Sequence, residues 1–293
     1  MTTTLSAPNG EVQFGPGLPT VLINDQLRVM DQSPTILEQL RIGILDGVLD
    51  LARWGQAIGT DLVDVLVFHP DLDEVELLPR IAALVKEKVG CPASLDSRNP
   101  QALEAALQAL RPFKAMINSV TAEHDSLATI LPIAKKYGAV VVGMPMGHLY
   151  GLPKKATERL AEAGVIVEAC EGIGIPREDI VMDAICFAAS ADPDSFLVTM
   201  ETLRLFHQEL GVSTTLGIGN AGYGMPEPTV LDLAYLVGGI PWGLDSALVN
   251  PVTHGLIETV RAMDFLAGND PGGRRYIQNY RNHKKAAKLI YGQ

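Results

Sequence analysis

Short apolar runs rich in β-branched residues recur along the chain, and longer segments with apolar residues at helical spacing fill the gaps. A strand buried on both faces reads as a continuous apolar run, whereas a helix packed on one side repeats every three to four residues. On that basis eight strands are predicted, at 20–23, 62–67, 93–95, 115–117, 139–144, 180–182, 215–218 and 244–249. Helices are predicted at 73–89, 100–110, 126–137, 154–169, 194–210 and 253–266. Such alternation is the pattern of βα units around a parallel sheet, and eight units closing on themselves predict a TIM (β/α)8 barrel, with an open doubly wound sheet as the other topology.

The length of 293 residues suits one such barrel, and no Ser/Gly/Pro-rich or charged linker divides the chain, so a single domain over 1–293 is expected. A polar Gly/Pro-rich extension covers about 1–19, and a basic segment, with Arg274, Arg275, Arg281, Lys284, Lys285 and Lys288, covers about 271–293 and reads as a solvated, frayed helix. The formal net charge of -11 opposes binding to nucleic acid or to an anionic membrane. With no signal-peptide pattern and no apolar run of membrane-span length, a cytoplasmic protein is expected. Cys91, Cys170 and Cys186 lack any zinc-like spacing and are expected to be reduced and buried.

In a β/α barrel the chemistry sits where the strands end, and the residues there are Asn24, Asp64, Asp96, Asn118, the turn Met144 to His148, Asp183, Asn220 and Asn250. Nearly all are Asp or Asn. The set lacks the strand lysine of a Schiff-base enzyme and the Arg, Lys or Gly-rich helix start of a phosphate site. The histidines show no H-x-H or H-E-x-x-H pairing, so no metal site is expected. A ring of carboxylates and amides does match a flat heterocycle such as a pterin, whose exocyclic amine and adjacent ring N–H can both donate to one carboxylate while amides pair with its mixed edge. Taken singly, each Asp or Asn reads first as a helix cap or turn residue, and only the constellation favours a site.

Gly217 to Gly222 spells G-x-G-x-x-G, but a dinucleotide fingerprint leads directly into a helix, and here Tyr223-Gly224-Met225-Pro226-Glu227-Pro228 prolongs a loop.

Four motifs, Ser94-Leu95-Asp96-Ser97-Arg98-Asn99-Pro100, Met116-Ile117-Asn118-Ser119, Asp179-Ile180-Val181-Met182-Asp183 and Leu216-Gly217-Ile218-Gly219-Asn220, resemble those of the pterin-binding barrels, specifically the methyltetrahydrofolate to corrinoid-protein methyltransferases. The likeness runs from about Val21 to Leu266. It implies that Asp96, Asn118 and Asp183 bind the pterin and that Asn220 lies near the folate nitrogen carrying the methyl group. The substrate would be tetrahydrofolate or 5-methyltetrahydrofolate, and the corrinoid (cobalamin) would be carried by a separate partner protein. Family members are commonly dimers, so a homodimer is expected.

Three departures stand out. Asp64-Val65-Leu66 replaces the family's Asp-x-Asn, keeping Asp64 as a candidate pterin contact without its amide partner. Asn24-Asp25-Gln26-Leu27 stands for Glu-Arg-Ile-Asn, and Gly147-His148 for an Asn-Lys pair. The departures resemble a divergent branch such as the second methyltransferase of O-demethylase systems. The competing readings are a dihydropteroate synthase-like enzyme, whose Ser-x-x-x-Arg type motif is not found, and a noncatalytic folate- or corrinoid-protein-binding subunit.

Overall fold

A computed structural model describes residues 1–281. The part of the basic segment that includes Lys284, Lys285 and Lys288 lies outside the described residues.

Strands β1 (Thr3–Ala7) and β2 (Gly10–Phe14) pair as an antiparallel hairpin. The next eight are β3 (Val21–Arg28), β4 (Leu62–Leu66), β5 (Ala93–Asp96), β6 (Met116–Thr121), β7 (Val140–Met144), β8 (Ile180–Asp183), β9 (Ser213–Gly217) and β10 (Ser246–Val249). They close a parallel barrel in the order β10-β3-β4-β5-β6-β7-β8-β9. Around them lie α1 (Pro34–Arg41), α2 (Asp46–Ile58), α3 (Glu74–Leu84), α4 (Pro100–Leu110), α5 (His124–Tyr137), α6 (Ala156–Gly172), α7 (Ser195–Leu205), α8 (Pro228–Gly239) and α9 (Leu256–Leu266). Each of the eight predicted strand positions holds a barrel strand, and the closed barrel, not the open sheet, is the architecture.

Alternation along each strand divides the apolar residues into two layers. One set, including Leu22, Val63, Val65, Leu95, Ile117 and Val141, packs outward against the helices. The other, including Val21, Ile23, Leu62, Met116, Val140, Val142 and Val181, fills the barrel interior. Leu5 and Phe14 of the hairpin join this inner layer and are fully buried. The hairpin is fastened to chain segments that lead into the strands: Thr3 Oγ1 donates to Glu178 O at 2.9 Å, Ser6 N to Lys114 O at 3.0 Å and Asn9 N to Gly90 O at 3.0 Å. The segment read from sequence only as a polar extension therefore closes the floor of the barrel.

The helices α1, α2 and α8 were not predicted. Gly47 and Gly55 weaken the helical signal of α2, and Gly55 has a packing reason. A Cβ there would collide with the Asn24 amide, so the missing side chain lets β3 and α2 approach closely. Elsewhere the motif residues double as caps. Asn99 Oδ1 accepts from Gln101 N and Ala102 N to start α4, with Pro100 in its first turn.

The plugged floor predicts that Phe14→Ala, which empties a fully buried ring position, destabilises the protein by about 3–5 kcal/mol. Denaturant unfolding measures this; an unchanged midpoint would show that the hairpin lies on the barrel without supporting it.

Candidate functional site

Inward positions change character partway up the strands. Val21 and Ile23 are followed by Asp25, Leu62 by Asp64, Met116 by Asn118 and Val181 by Asp183. On β3, β4, β6 and β8 the lower inward positions are apolar and the next ones polar, at the carboxyl ends where a parallel barrel places its chemistry.

Register brings three predicted residues together. Asp96 pairs with Asn118 across β5 and β6, and Asn118 Nδ2 donates to Asp64 Oδ1 at 3.3 Å. Asp64 is 1% exposed, and burial pushes its carboxyl up to about 8, helped by repulsion from Asp96 and opposed by Ser94 and Asn118. Asp96 is raised to about 6, again by burial first, with Arg28 and Arg98 opposing. Burial and mutual repulsion thus make this pair of carboxyls resist full ionisation.

Asp183 and Asn220 form the second group. Both line a cavity of about 360 Å³ with Met144, Met146, Leu152 and Cys186. Burial raises Asp183 to about 6, while a hydrogen bond from Ile185 N at 2.7 Å and the charge of Arg159 hold it down. Asn220 ends a single 3-10 turn, Ile218–Asn220, where 215–218 was expected to continue as strand; two glycines in Gly217-Ile218-Gly219 favour the turn. Asp96 lines a second cavity, of about 500 Å³, with Phe68, Glu74 and Arg98. The predicted residues thus form two clusters at one barrel mouth, on β4–β6 and on β8–β9.

Two strand-end candidates fall outside the site. Asn24 points outward, its Nδ2 donating to Leu51 O of α2 at 3.2 Å, because alternation from Ile23 turns position 25 inward instead. Asp25 is the residue that strand-end reading missed; its carboxyl is raised chiefly by burial and contributes to the field on Asp64. Asn250 is exposed and accepts from Val252 N at 3.1 Å, a local turn contact.

The turn after β7, read as an apolar loop over a ligand, is pinned. Fully buried Glu162 of α6 accepts from Leu149 N and Tyr150 N at 2.7 Å each and from His148 N at 3.1 Å. Cys91, Cys170 and Cys186 are free thiols and buried. Among the described residues no helix is long and apolar enough to cross a membrane.

Comparison with known proteins adds the relatives. The profile of the family described as pterin binding enzyme matches residues 38–231. A methylcorrinoid:tetrahydrofolate methyltransferase of Eubacterium limosum is 24% identical over 231 residues, covering 77% of this chain and 84% of that protein. A methionine synthase of Mycobacterium tuberculosis (strain ATCC 25618 / H37Rv) is 26% identical over 215 residues, covering 69% of this chain and 18% of that protein. Among solved structures, the 7,8-dihydropteroate synthase of Vibrio fischeri ES114 has a TM-score of 0.69 at 18% identity, covering 92% of this chain and 99% of that one. A Yersinia pestis DHPS with a pterine-sulfa conjugate has a TM-score of 0.67 at 16% identity, covering 90% of this chain and 99% of that one. These structures share the barrel fold with this chain.

The raised Asp64 carboxyl makes stability depend on pH. Its folded value of about 8 exceeds the ordinary 3.8, so the folded chain binds this proton more tightly than the unfolded one. The stability it contributes is complete below about pH 4 and is lost as pH rises through about 8. Asp64→Asn, which imitates the protonated form, should flatten that decline and stabilise the ligand-free protein at pH 8 by about 1–3 kcal/mol. Thermal unfolding at pH 5 and pH 8 measures it; an undiminished decline in the variant would place the proton elsewhere.

Proposed function

The chain belongs to the pterin-binding enzyme family, and from that premise we propose that it moves a methyl group between N5 of tetrahydrofolate and the cobalt of a corrinoid held by a partner protein. The observation that carries the proposal is the sharing of one cavity by Asp183, a carboxylate suited to a pterin edge, and Asn220, an amide suited to a ring nitrogen. The similarity to a methylcorrinoid:tetrahydrofolate methyltransferase over 77% of the chain supports the same chemistry.

In this reading Asp96 and Asp183 accept from the pterin's N–H groups. Asn118 gives its Nδ2 to Asp64, which leaves its Oδ1 free to accept as well. A proton shared by the Asp64 and Asp96 pair spares the pocket a third full negative charge. The partner's corrinoid supplies the cobalt that gives or takes the methyl group. Asn220 meets N5 in both of its states: its Oδ1 accepts from the N5–H of tetrahydrofolate, and its Nδ2 donates to the N5 lone pair. One contact then serves both directions of transfer.

Apolar side chains stand exposed on loops of the same mouth, among them Phe68 at 60% and Tyr223 at 76%, with Tyr150 and Leu152 half exposed. Such a rim suits the flat apolar face of a corrin ring and a transient protein partner. We assign the chain as the tetrahydrofolate-methylating component of an O-demethylase system, a cytoplasmic homodimer, which its genomic neighbours and its mass in solution would test. A dihydropteroate synthase-like activity is the rival, since that fold is shared.

Asp96→Ala and Asp183→Ala should each weaken tetrahydrofolate binding about tenfold to a hundredfold, because each removes a charged acceptor from a shielded site. Calorimetry reads this, and wild-type affinity in both variants would refute the pocket. Asn220→Ala should lower the single-turnover rate of methyl transfer at saturating folate about a hundredfold to a thousandfold, with a smaller loss of affinity. A folded Asn220→Ala protein with a near-normal rate would remove Asn220 from the chemistry.

A further inference from the structure

We propose that Arg159, a fully buried arginine on α6 outside the cavity, is a positioning residue that clamps the turn after β8 and so aims the Asp183 carboxylate at the pterin. The inference rests on the reading of Asp183 as a pterin contact.

The turn needs a clamp. Ile185, a β-branched residue, sits at φ 62°, the left-handed region that such side chains avoid, and there it lines the cavity beside Asp183. This conformation persists only where surrounding contacts determine it. Arg159 Nη1 provides them by donating to Ala184 O at 2.7 Å and Ile185 O at 2.9 Å, and it also meets Thr199 Oγ1 at 3.1 Å. Thr199 Oγ1 in turn donates to Ile185 O at 2.8 Å. With both carbonyls drawn towards α6, the Ile185 N–H points back to Asp183 Oδ1 at 2.7 Å and fixes that carboxylate's orientation.

The guanidinium is also a charge with an electrostatic task. Among the described residues its hydrogen bonds go to backbone carbonyls and one hydroxyl, its Nη2 meets no acceptor, and its face lies 5.0 Å from the Phe187 ring. Nor is the charge cancelled by Glu162 one turn along the helix, whose oxygens bind the amides of the turn after β7. The groups that feel Arg159 are Asp183 and Asp192, with Cys186 from the same segment and Tyr235 from α8. Asp232 adds its field at Cys186. Burial pushes the Cys186 thiol up to about 12 and the Tyr235 phenol higher still, so neither is charged near neutrality. Arg159 therefore favours the ionised form of Asp183, the form that accepts from a pterin.

The test is tetrahydrofolate affinity from pH 5 to pH 8 for wild type, Arg159→Met, Arg159→Lys and Thr199→Val, each also in an Asp183→Asn background. Absence of binding by the wild type would strike the pocket assignment itself, apart from the role of Arg159. Given wild-type binding, Arg159→Met should lose about tenfold in affinity at pH 7, with the acid-side midpoint of binding moved to higher pH. That midpoint shift should vanish when Asp183 is Asn. Arg159→Lys, which keeps the charge without the fork, and Thr199→Val, which removes one fastening, should lose affinity while keeping the wild-type midpoint. If Arg159→Met does not fold, the other two carry the test. Wild-type affinity in both, or an Arg159→Met midpoint that is unmoved or shifts equally without Asp183, would overturn the proposal.

Discussion

Everything about this site follows from a limit on space along the barrel axis. Every second residue of each strand points inward, and eight strands leave room for side chains to fill the interior, with no channel beneath. The lower inward positions of β3, β4, β6, β7 and β8, together with Leu5 and Phe14 from the hairpin, use much of that room for hydrocarbon. Polar residues at the next inward positions then have a dry floor beneath them and open space only at the mouth. Asp25, Asp64, Asp96, Asn118 and Asp183 are held by the most rigid part of the fold, and their orientation is set by strand parity.

Burial without full pairing has an electrostatic consequence. Carboxyls on such a floor resist ionisation, and their neighbours decide how strongly. Asp64, pressed by Asp96, is pushed up to about 8, whereas Asp183, relieved by Arg159, is raised only to about 6. One set of similar side chains is thereby held with different readiness to ionise. The loops above are built on the same economy, with α6 using two buried charges, Arg159 and Glu162, to hold the turns after β8 and β7.

The strands were legible because buried parallel strands are apolar throughout, and their ends located Asp96, Asn118, Asp183 and Asn220 correctly at the mouth. Position alone could not decide which side of a strand a residue faces. Counting by twos from Val21 and Ile23 selects Asp25, and the glycine that makes room for Asn24 lies far off in α2. The hairpin was hidden because five-residue strands between turn residues look polar when only Leu5 and Phe14 are deeply buried apolar anchors. Arg159 and Glu162 were invisible for another reason: a charged residue on a helix reads as solvent-facing until the backbone groups it binds are known.

The central claim, methyl transfer on a folate seated in this ring, is tested most directly by mixing the wild-type protein with methylcobalamin and tetrahydrofolate without oxygen and following the corrinoid spectrum and the folate together. The account predicts loss of methylcobalamin matched one for one by 5-methyltetrahydrofolate, with cobalt left as Co(I) and one proton released from N5. A protein that binds tetrahydrofolate yet leaves methylcobalamin unchanged, free or on a corrinoid protein, while condensing a pterin pyrophosphate with p-aminobenzoate, would contradict it.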